Sequence, residues 1–129
     1  MLNNKLYNLL FKGWFRTKGR SGRQEYISRI LFFLTLAFIQ PFLFKTFIYY
    51  DNILISLLFS AIVVFFLGPI TILSAIQVFF VTHRRLHDLN ASGWWQLITF
   101  IPFGQMLMIA FIFFKGTDGS NRYGEPPQH

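Results

Sequence analysis

At 129 residues the chain has room for one small domain, and 53% of it is hydrophobic, 20% aromatic and only 13% charged. A soluble domain carries roughly twice that share of charge, and a chain this short with 18 phenylalanines has too little polar surface to cover a water-facing core. The composition therefore excludes a soluble globular protein and predicts an all-α membrane protein that crosses the bilayer several times.

The first segment, about residues 2–15, is predicted to form a short amphipathic helix that lies on the inner leaflet. Apolar side chains recur there at helical spacing, with asparagines and lysines between them. These apolar residues are Leu2, Leu6, Leu9, Leu10 and Trp14.

Three apolar runs follow, and each is long enough to cross a bilayer as a helix of roughly 20 residues. They cover about residues 30–50, 53–82 and 94–114. The sequence therefore predicts a single membrane domain, residues 1–129, with three transmembrane helices.

Glycine and proline interrupt two of these runs. The second run would be about 45 Å long as a helix, against a hydrocarbon core of about 30 Å, and Gly68-Pro69 predicts a bend at its middle. Pro102 and Gly104 predict a kink in the third run. The sequence leaves open whether residues around Pro102 form a re-entrant half-helix.

Basic residues are concentrated at one end of the chain. Residues 1–29 hold seven of the 12 lysines and arginines against the single acid Glu25, and Arg84 and Arg85 fall on the same side of the membrane. Because basic loops stay in the cytoplasm, we expect the N-terminus inside and, with three spans, an external tail at residues 115–129. Topology and anionic lipid then explain the net charge of +7, and we expect no nucleic-acid partner.

Three polar segments carry the motifs of the chain. In order they read GR-x-x-R-x-E-Y before the first span, RRLHD-x-x-x-SGWW between the second and third, and G-x-x-G-x-N-R-Y-G after the last. This order resembles the bacterial inner-membrane family known as domain of unknown function 805, the YhaH-like proteins, over roughly residues 6–127. The resemblance implies a multi-pass protein of the bacterial inner (plasma) membrane with three or four spans, and it brings no established biochemical activity. The matching positions are Gly19, Arg20, Arg23, Glu25, Tyr26, Arg84, Arg85, Leu86, His87, Asp88, Ser92, Gly93, Trp94, Trp95, Pro102, Gly116, Gly119, Asn121, Arg122, Tyr123, Gly124 and Pro127.

The first two motifs meet at one membrane face in this topology and define the candidate binding site. One interpretation is an anion site, because guanidinium groups bind phosphate through two parallel hydrogen bonds. The other is that the acids pair with the arginines and lock the helix ends together, while the remaining charge sets the topology. The sequence leaves both open. The candidate binding residues are Arg20, Arg23, Arg84 and Arg85, with Glu25, His87 and Asp88 as pairing or orienting residues.

Two histidines, His83 and His87, are candidates for metal binding and catalysis. His83 and His87 share one helix face, but no third metal ligand follows at a fixed spacing. His87 and Asp88 have the composition of a general base pair, yet no serine, cysteine or second carboxylate stands beside them as a nucleophile. We therefore expect no metal, no cofactor and no catalytic residue.

A polar stripe runs along the second span. Ser56, Ser60, Thr71, Ser74 and Gln77 fall within roughly a 120° arc of one helix. Because small and hydroxylated residues let helices approach closely, the stripe is interpreted as a packing face.

The leading hypothesis is a small, non-enzymatic membrane protein whose arginine cluster holds an anionic lipid head or an acidic partner. It would act alone, as a homo-oligomer or with a membrane protein partner. The first alternative is a subunit of a small channel or transporter, in which the polar stripe lines a wet path. The second alternative is a lipid-modifying enzyme that uses His87 and Asp88.

Overall fold

The computed structural model describes residues 15–49 and 51–127, without the side chains of Phe47 and Ile48. In this part of the chain every regular element is a helix, and one isolated β-bridge joins Asn121 to Gly124. The predicted all-α class is confirmed to this extent. Contacts divide the chain into two units, one built from the described residues up to Ile30 and from Gln77 onwards, the other from Leu31–Ile76.

Helix α1 spans Arg23–Ile48 and carries Glu25 in its first turn and Lys45 in its last. Both charges oppose the partial charge of the adjacent helix end, which stabilises the helix. Pro41 lies inside the helix. The helix is long and apolar enough to cross a membrane over Arg23–Thr46, and only 6% of its apolar window is buried. A core helix of a soluble protein would be mostly buried, so this exposure supports a lipid-facing helix.

The second helical stretch is continuous from Ile53 to Asp88 and consists of three parts. Helix α2 spans Ile53–Ile62, a π-helical turn spans Val63–Leu67, and helix α3 spans Gly68–Asp88. Together they form a second candidate membrane span of 36 residues whose apolar window is 11% buried. At 1.5 Å per residue it is about 54 Å long, so part of it extends beyond a bilayer core of about 30 Å.

Two local features shape this stretch, a cap at its start and an irregular turn at its middle. Asn52 caps α2, because its side-chain oxygen accepts hydrogen bonds from the backbone N–H groups of Leu54 and Ile55 at 3.0 and 3.4 Å. The irregularity predicted at Gly68-Pro69 takes the form of the π-helical turn directly before it. Proline explains it, since Pro69 has no N–H to donate and its ring crowds the carbonyl one turn earlier.

Most polar side chains of the stripe have hydrogen-bond partners within the protein. The side chains of Ser56 and Ser74 are buried, as a packing face requires. The Ser74 hydroxyl donates to the Thr71 carbonyl at 2.8 Å, and the Thr71 hydroxyl contacts Gln40 Oε1 at 3.0 Å. Gln77 is buried as well.

The third predicted span, about residues 94–114, is not one helix. A 3₁₀ helix spans Gly93–Phe100, a turn follows, and helix α4 spans only Gln105–Phe113. Nine residues of α-helix reach about 14 Å, too short for a bilayer. Two helices among the described residues are long and apolar enough to cross, so the three-span count is not confirmed. The amphipathic helix predicted at residues 2–15 lies outside the described residues except for Phe15.

We call residues 93–113 the hairpin segment, because the chain leads away from the end of α3 there and then returns to it. Gly93 packs against the ring of His83 so closely that a Cβ there would lie 2.0 Å from it. At the other end of the segment, the Phe114 carbonyl accepts a hydrogen bond from Arg85 at 2.5 Å. Both ends of the segment therefore lie beside the last turns of α3.

A small core holds the hairpin segment against the helices of its unit. It consists of Tyr26, Val81, Leu86 and Phe111, all 8% exposed or less. The Tyr26 hydroxyl donates to the carbonyl of Met108 at 3.0 Å, which ties α4 to the first turn of α1. Apolar contact and one partly buried hydrogen bond thus fix α4 next to the motif that precedes the first span.

Replacing Gly104 with alanine is expected to destabilise the hairpin segment. A Cβ at Gly104 would lie 1.7 Å from the backbone oxygen of Ile98, and backbone cannot move aside as a side-chain end can. Overpacking of this kind costs about 1–3 kcal/mol. Thermal unfolding in detergent, followed by circular dichroism, measures it. The matched control is Gly68→Ala, where the nearest atom, Gln40 Nε2, lies 3.9 Å away, and an unchanged or higher melting temperature is expected. Equal melting temperatures for the two variants would contradict the turn geometry.

Candidate functional site

The last turn of α3 meets the segment that leads into α1, and the two bring most of the motif charges together. The backbone N–H of Ser21 donates to the carbonyl of Arg84 at 3.1 Å, which fixes the two segments side by side. Six ionisable side chains converge there, and we call them the charge cluster: Arg20, Glu25, Arg29, Arg84, Arg85 and Asp88.

Asp88 lies between two arginines at the centre of the charge cluster. Its Oδ1 lies 2.9 Å from both Nε and Nη2 of Arg20, and its Oδ2 pairs with Nη1 of Arg85. The side chain of Asp88 is 4% exposed and each guanidinium 1%. Gly116 covers the carboxylate so closely that a Cβ there would lie 2.1 Å from Oδ2. Two cationic partners within hydrogen-bond reach compensate for the burial of this carboxylate.

The guanidinium of Arg85 also binds backbone carbonyls at the end of the hairpin segment. Its Nε donates to the Phe111 carbonyl at 3.1 Å, and its Nη2 donates to the Phe114 carbonyl at 2.5 Å. Its Nη1 also donates to the carbonyl of Ser21 at 3.4 Å. Arg85 thus satisfies carbonyls that α4 leaves open at its C-terminal end.

Arg20 performs the same role toward the tail. Its Nη1 donates to the Gly119 carbonyl and its Nη2 to the Thr117 carbonyl, both at 2.5 Å. With Asp88 on its Nε, every nitrogen of the Arg20 guanidinium has an acceptor. Arg20 and Arg85 are therefore occupied by the protein's own groups.

Glu25 organises the other half of the charge cluster. Its Oε1 lies 2.7 Å from Nη2 of Arg84 and 2.7 Å from Nη2 of Arg29, one helical turn along α1. Its Oε2 accepts from the Ser21 hydroxyl at 2.9 Å and from Nη1 of Arg84 at 3.4 Å. The Nε of Arg84 is buried and has no hydrogen-bond partner within residues 15–49 and 51–127.

The tail packs against the same site. The N–H and hydroxyl of Thr117 both donate to the carbonyl of Asp88, at 2.9 and 3.0 Å, and Asn121 Nδ2 donates to the carbonyl of His87 at 2.9 Å. The prediction that the tail lies on the opposite side of the membrane from the first motif is not confirmed. Groups that hydrogen-bond directly do not have a bilayer core of about 30 Å between them. That prediction counted residues 94–114 as a full span, and the count is not confirmed either.

The structure separates the predicted site residues into three groups. Arg20, Arg84, Arg85, Glu25 and Asp88 come together in the charge cluster as predicted. Arg23 is exposed and donates through Nε to the Phe114 carbonyl at 3.0 Å. His87 does not orient a carboxylate. Its Nδ1 lies 3.3 Å from the Gly19 carbonyl, and its ring stacks on Tyr123 with 3.8 Å between ring centroids.

Sequence reasoning overlooked Arg29, which is fully buried and paired with Glu25. The signal was available, because a glutamate and an arginine four residues apart face each other on a helix. Ser21 and the carbonyls of the hairpin segment were also overlooked. They carry no signal in the sequence, because a backbone acceptor is the same at every residue.

Charge in the cluster does not balance. It contains four guanidinium groups and two carboxylates, and the backbone carbonyls that accept from Arg20 and Arg85 supply only partial negative charge. The site therefore has a net positive potential, which attracts anions.

Comparison with known proteins agrees with this membrane architecture. The family model described as protein of unknown function (DUF805) matches residues 14–125, which confirms the resemblance seen in the motifs. Inner membrane protein YhaI of Escherichia coli (strain K12) is 50% identical over 46 residues, 35% of this chain and 39% of that protein. Inner membrane protein YhaH of the same strain is 42% identical over 66 residues, 47% of this chain and 54% of that protein. The chain thus spans about half or less of the length of these relatives. No solved structure matches it significantly.

Replacing Asp88 with asparagine is expected to destabilise the protein by on the order of 3 kcal/mol. The change leaves Arg20 and Arg85 buried beside a neutral amide, and breaking a buried ion pair has this cost because a charge remains uncompensated. Chemical denaturation in detergent measures the free energy of unfolding. Asp118→Asn is the matched control, because Asp118 and its partner Lys115 are 83% and 74% exposed, and less than about 1 kcal/mol is expected there. Equal losses in both variants would rule out a central role for Asp88.

Proposed function

The chain belongs to the DUF805 family of proteins of unknown function, and from that premise we propose that it is a non-enzymatic inner-membrane protein that binds an anionic group at its cytoplasmic face. The observation that carries the proposal is the charge balance beside the helix ends. Residues 15–29 and 84–88 contain seven lysines and arginines against two acids, Glu25 and Asp88. A surface of this charge attracts anionic lipid heads and acidic protein segments alike.

We propose a topology of two full spans with both described ends of the chain in the cytoplasm. The helices Arg23–Thr46 and Ile53–Asp88 would cross the bilayer, and the hairpin segment would enter it from the cytoplasmic side and return. Two observations support this arrangement. The tail contacts Arg20 and Asp88 directly, and basic residues near membrane spans stay in the cytoplasm.

The basic residues would divide into two groups with different roles. Arg20 and Arg85 use their donors on Asp88 and on backbone carbonyls, so they would hold the fold together. Arg16, Lys18 and Arg23 are exposed and would contact the anion. The two interpretations left open by the sequence would thus both hold, each for a different set of residues.

Arg84 would belong to both groups. It pairs with Glu25 through Nη1 and Nη2, while its buried Nε lacks an acceptor among the described residues. An anion next to this group would satisfy the remaining donor and offset the excess charge of the cluster.

The proposed topology predicts the side from which single cysteines react. The parent chain has no cysteine, so each introduced cysteine is the only thiol that can react. Arg16→Cys and Ser120→Cys are expected to react with a membrane-impermeant maleimide in inside-out vesicles. Asp51→Cys, in the turn between α1 and α2, is expected to react with it in right-side-out vesicles. All three positions are exposed. Reaction of Ser120→Cys from the opposite side to Arg16→Cys would exclude the re-entrant arrangement.

The anion-binding proposal is tested by native mass spectrometry of protein released from nanodiscs of phosphatidylcholine containing phosphatidylglycerol. The parent is expected to retain phosphatidylglycerol. The double variant Lys18→Gln, Arg23→Gln should lose roughly 30-fold in affinity, since each cation near a lipid surface contributes about 1 kcal/mol.

The matched control also removes two exposed cations, but elsewhere. Lys45 lies in the last turn of α1, and Lys115 pairs with the exposed Asp118. The double variant Lys45→Gln, Lys115→Gln should retain lipid as the parent does. A parent that retains no anionic lipid or other anion, or equal loss in both double variants, would overturn the proposal.

A further inference from the structure

A cavity of about 390 Å³ lies beside the charge cluster and shares none of its six side chains. Its volume falls in the range of small-molecule sites, about 300–1,000 Å³. The walls come from three parts of the chain: the segment before α1, the last turns of α3, and the tail. The lining residues are Thr17, Lys18, Gly19, His83, His87 and Tyr123.

The walls of the cavity are held in place by contacts within the protein. His87 and Tyr123 stack with their ring planes 5° apart, and the ring of His83 packs edge-on against His87 with 4.5 Å between centroids. The backbone N–H of Tyr123 donates to Asn121 Oδ1 at 2.9 Å, and the guanidinium of Arg122 lies 4.8 Å from the Tyr123 ring centroid. A cavity lined in this way needs little rearrangement to accept a ligand.

The lining has the chemistry of an anion site. It contains the ammonium group of Lys18 and the hydroxyl of Thr17, and none of the six lining residues is an acid. Phosphate oxygens accept hydrogen bonds from both kinds of group.

The face of α3 that carries His83 is apolar one turn before the cavity, which indicates what the anion is attached to. Phe79 and Phe80 precede His83 by four and three residues and so lie on the same face of α3. Phe79 is 41% exposed, and Phe15 packs edge-on against Phe80 with 5.8 Å between ring centroids. A ligand seated here meets cationic and hydrogen-bonding groups at one end and aromatic surface at the other.

We propose that this cavity is a specific site for the phosphate-bearing head of an anionic phospholipid. Lys18 and Thr17 bind the phosphate, the stacked rings of His87 and Tyr123 pack against the glycerol part, and the acyl chains leave along Phe79 and Phe80. The volume exceeds that of a phosphate ion, and the aromatic surface of the neighbouring helix turn favours a lipid over a water-soluble phosphate ester. This inference rests on the proposed anion-binding function and names its place and its ligand.

The test fills the cavity without changing charge. Thr17→Trp places an indole in the cavity, and Thr46→Trp, an equally exposed threonine in the last turn of α1, is the matched control. Both are compared with the parent in the nanodisc experiment described above. We expect retained phosphatidylglycerol to fall at least tenfold for Thr17→Trp and to stay at the parent level for Thr46→Trp.

Each outcome separates this inference from the function on which it rests. Retention by Thr17→Trp at the parent level, with loss in Lys18→Gln, Arg23→Gln, would overturn the cavity and leave anion binding at the exposed cations intact. A parent that retains no anionic lipid and binds no phosphate would overturn both.

A second variant distinguishes loss of binding from misfolding, and a second probe distinguishes a phospholipid from free phosphate. If Thr17→Trp has a lower melting temperature than the parent, it is replaced by Tyr123→Leu, which removes one wall of the cavity. The same loss of retained phosphatidylglycerol is expected for that variant. Delipidated protein is also titrated with inorganic phosphate. Phosphate adducts on the parent that disappear in the cavity variant, together with no retained phospholipid, would overturn the assignment to a lipid.

Discussion

The buried carboxylate of Asp88 is the interaction on which the rest of the described structure depends. It holds Arg20 on one side and Arg85 on the other, and each arginine then binds carbonyls of a different segment. Through Arg85 the end of α4 is fixed, and through Arg20 the tail is fixed. One ion triad thus connects three segments that are far apart in sequence. Removing Asp88 leaves two guanidinium groups uncompensated in a medium of low dielectric.

The membrane class and the meeting of the two basic motifs could be predicted from the sequence, because composition and charge placement are properties of the chain itself. The hairpin segment could not. Residues 94–114 have the length and apolarity of a span. Pro102 and Gly104 indicate that the helix is interrupted, but they do not indicate in which direction the chain continues. The return of the chain depends on Arg85 reaching the Phe114 carbonyl and Tyr26 reaching that of Met108. Such acceptors are backbone groups, so no residue type marks them.

The positions of the basic residues in the sequence also leave part of the structure unpredicted. Positive residues near spans indicate which loops are cytoplasmic, but they do not indicate which arginines are buried. Arg20 and Arg23 are three residues apart in one motif, yet the side chain of Arg20 is 1% exposed while Arg23 is open to solvent. The difference comes from Asp88 and the tail carbonyls, which enclose one and not the other. The proposed division of basic residues into structural and ligand-binding groups rests on this difference.

The position of the tail has a consequence for biogenesis. Thr117 and Gly119 supply the last acceptors for Arg20, and they follow both long helices in the chain. Until they are synthesised, part of the Arg20 guanidinium is without its protein partners. A chain cut short before residue 117 would therefore leave this basic end of the molecule open to quality-control proteases.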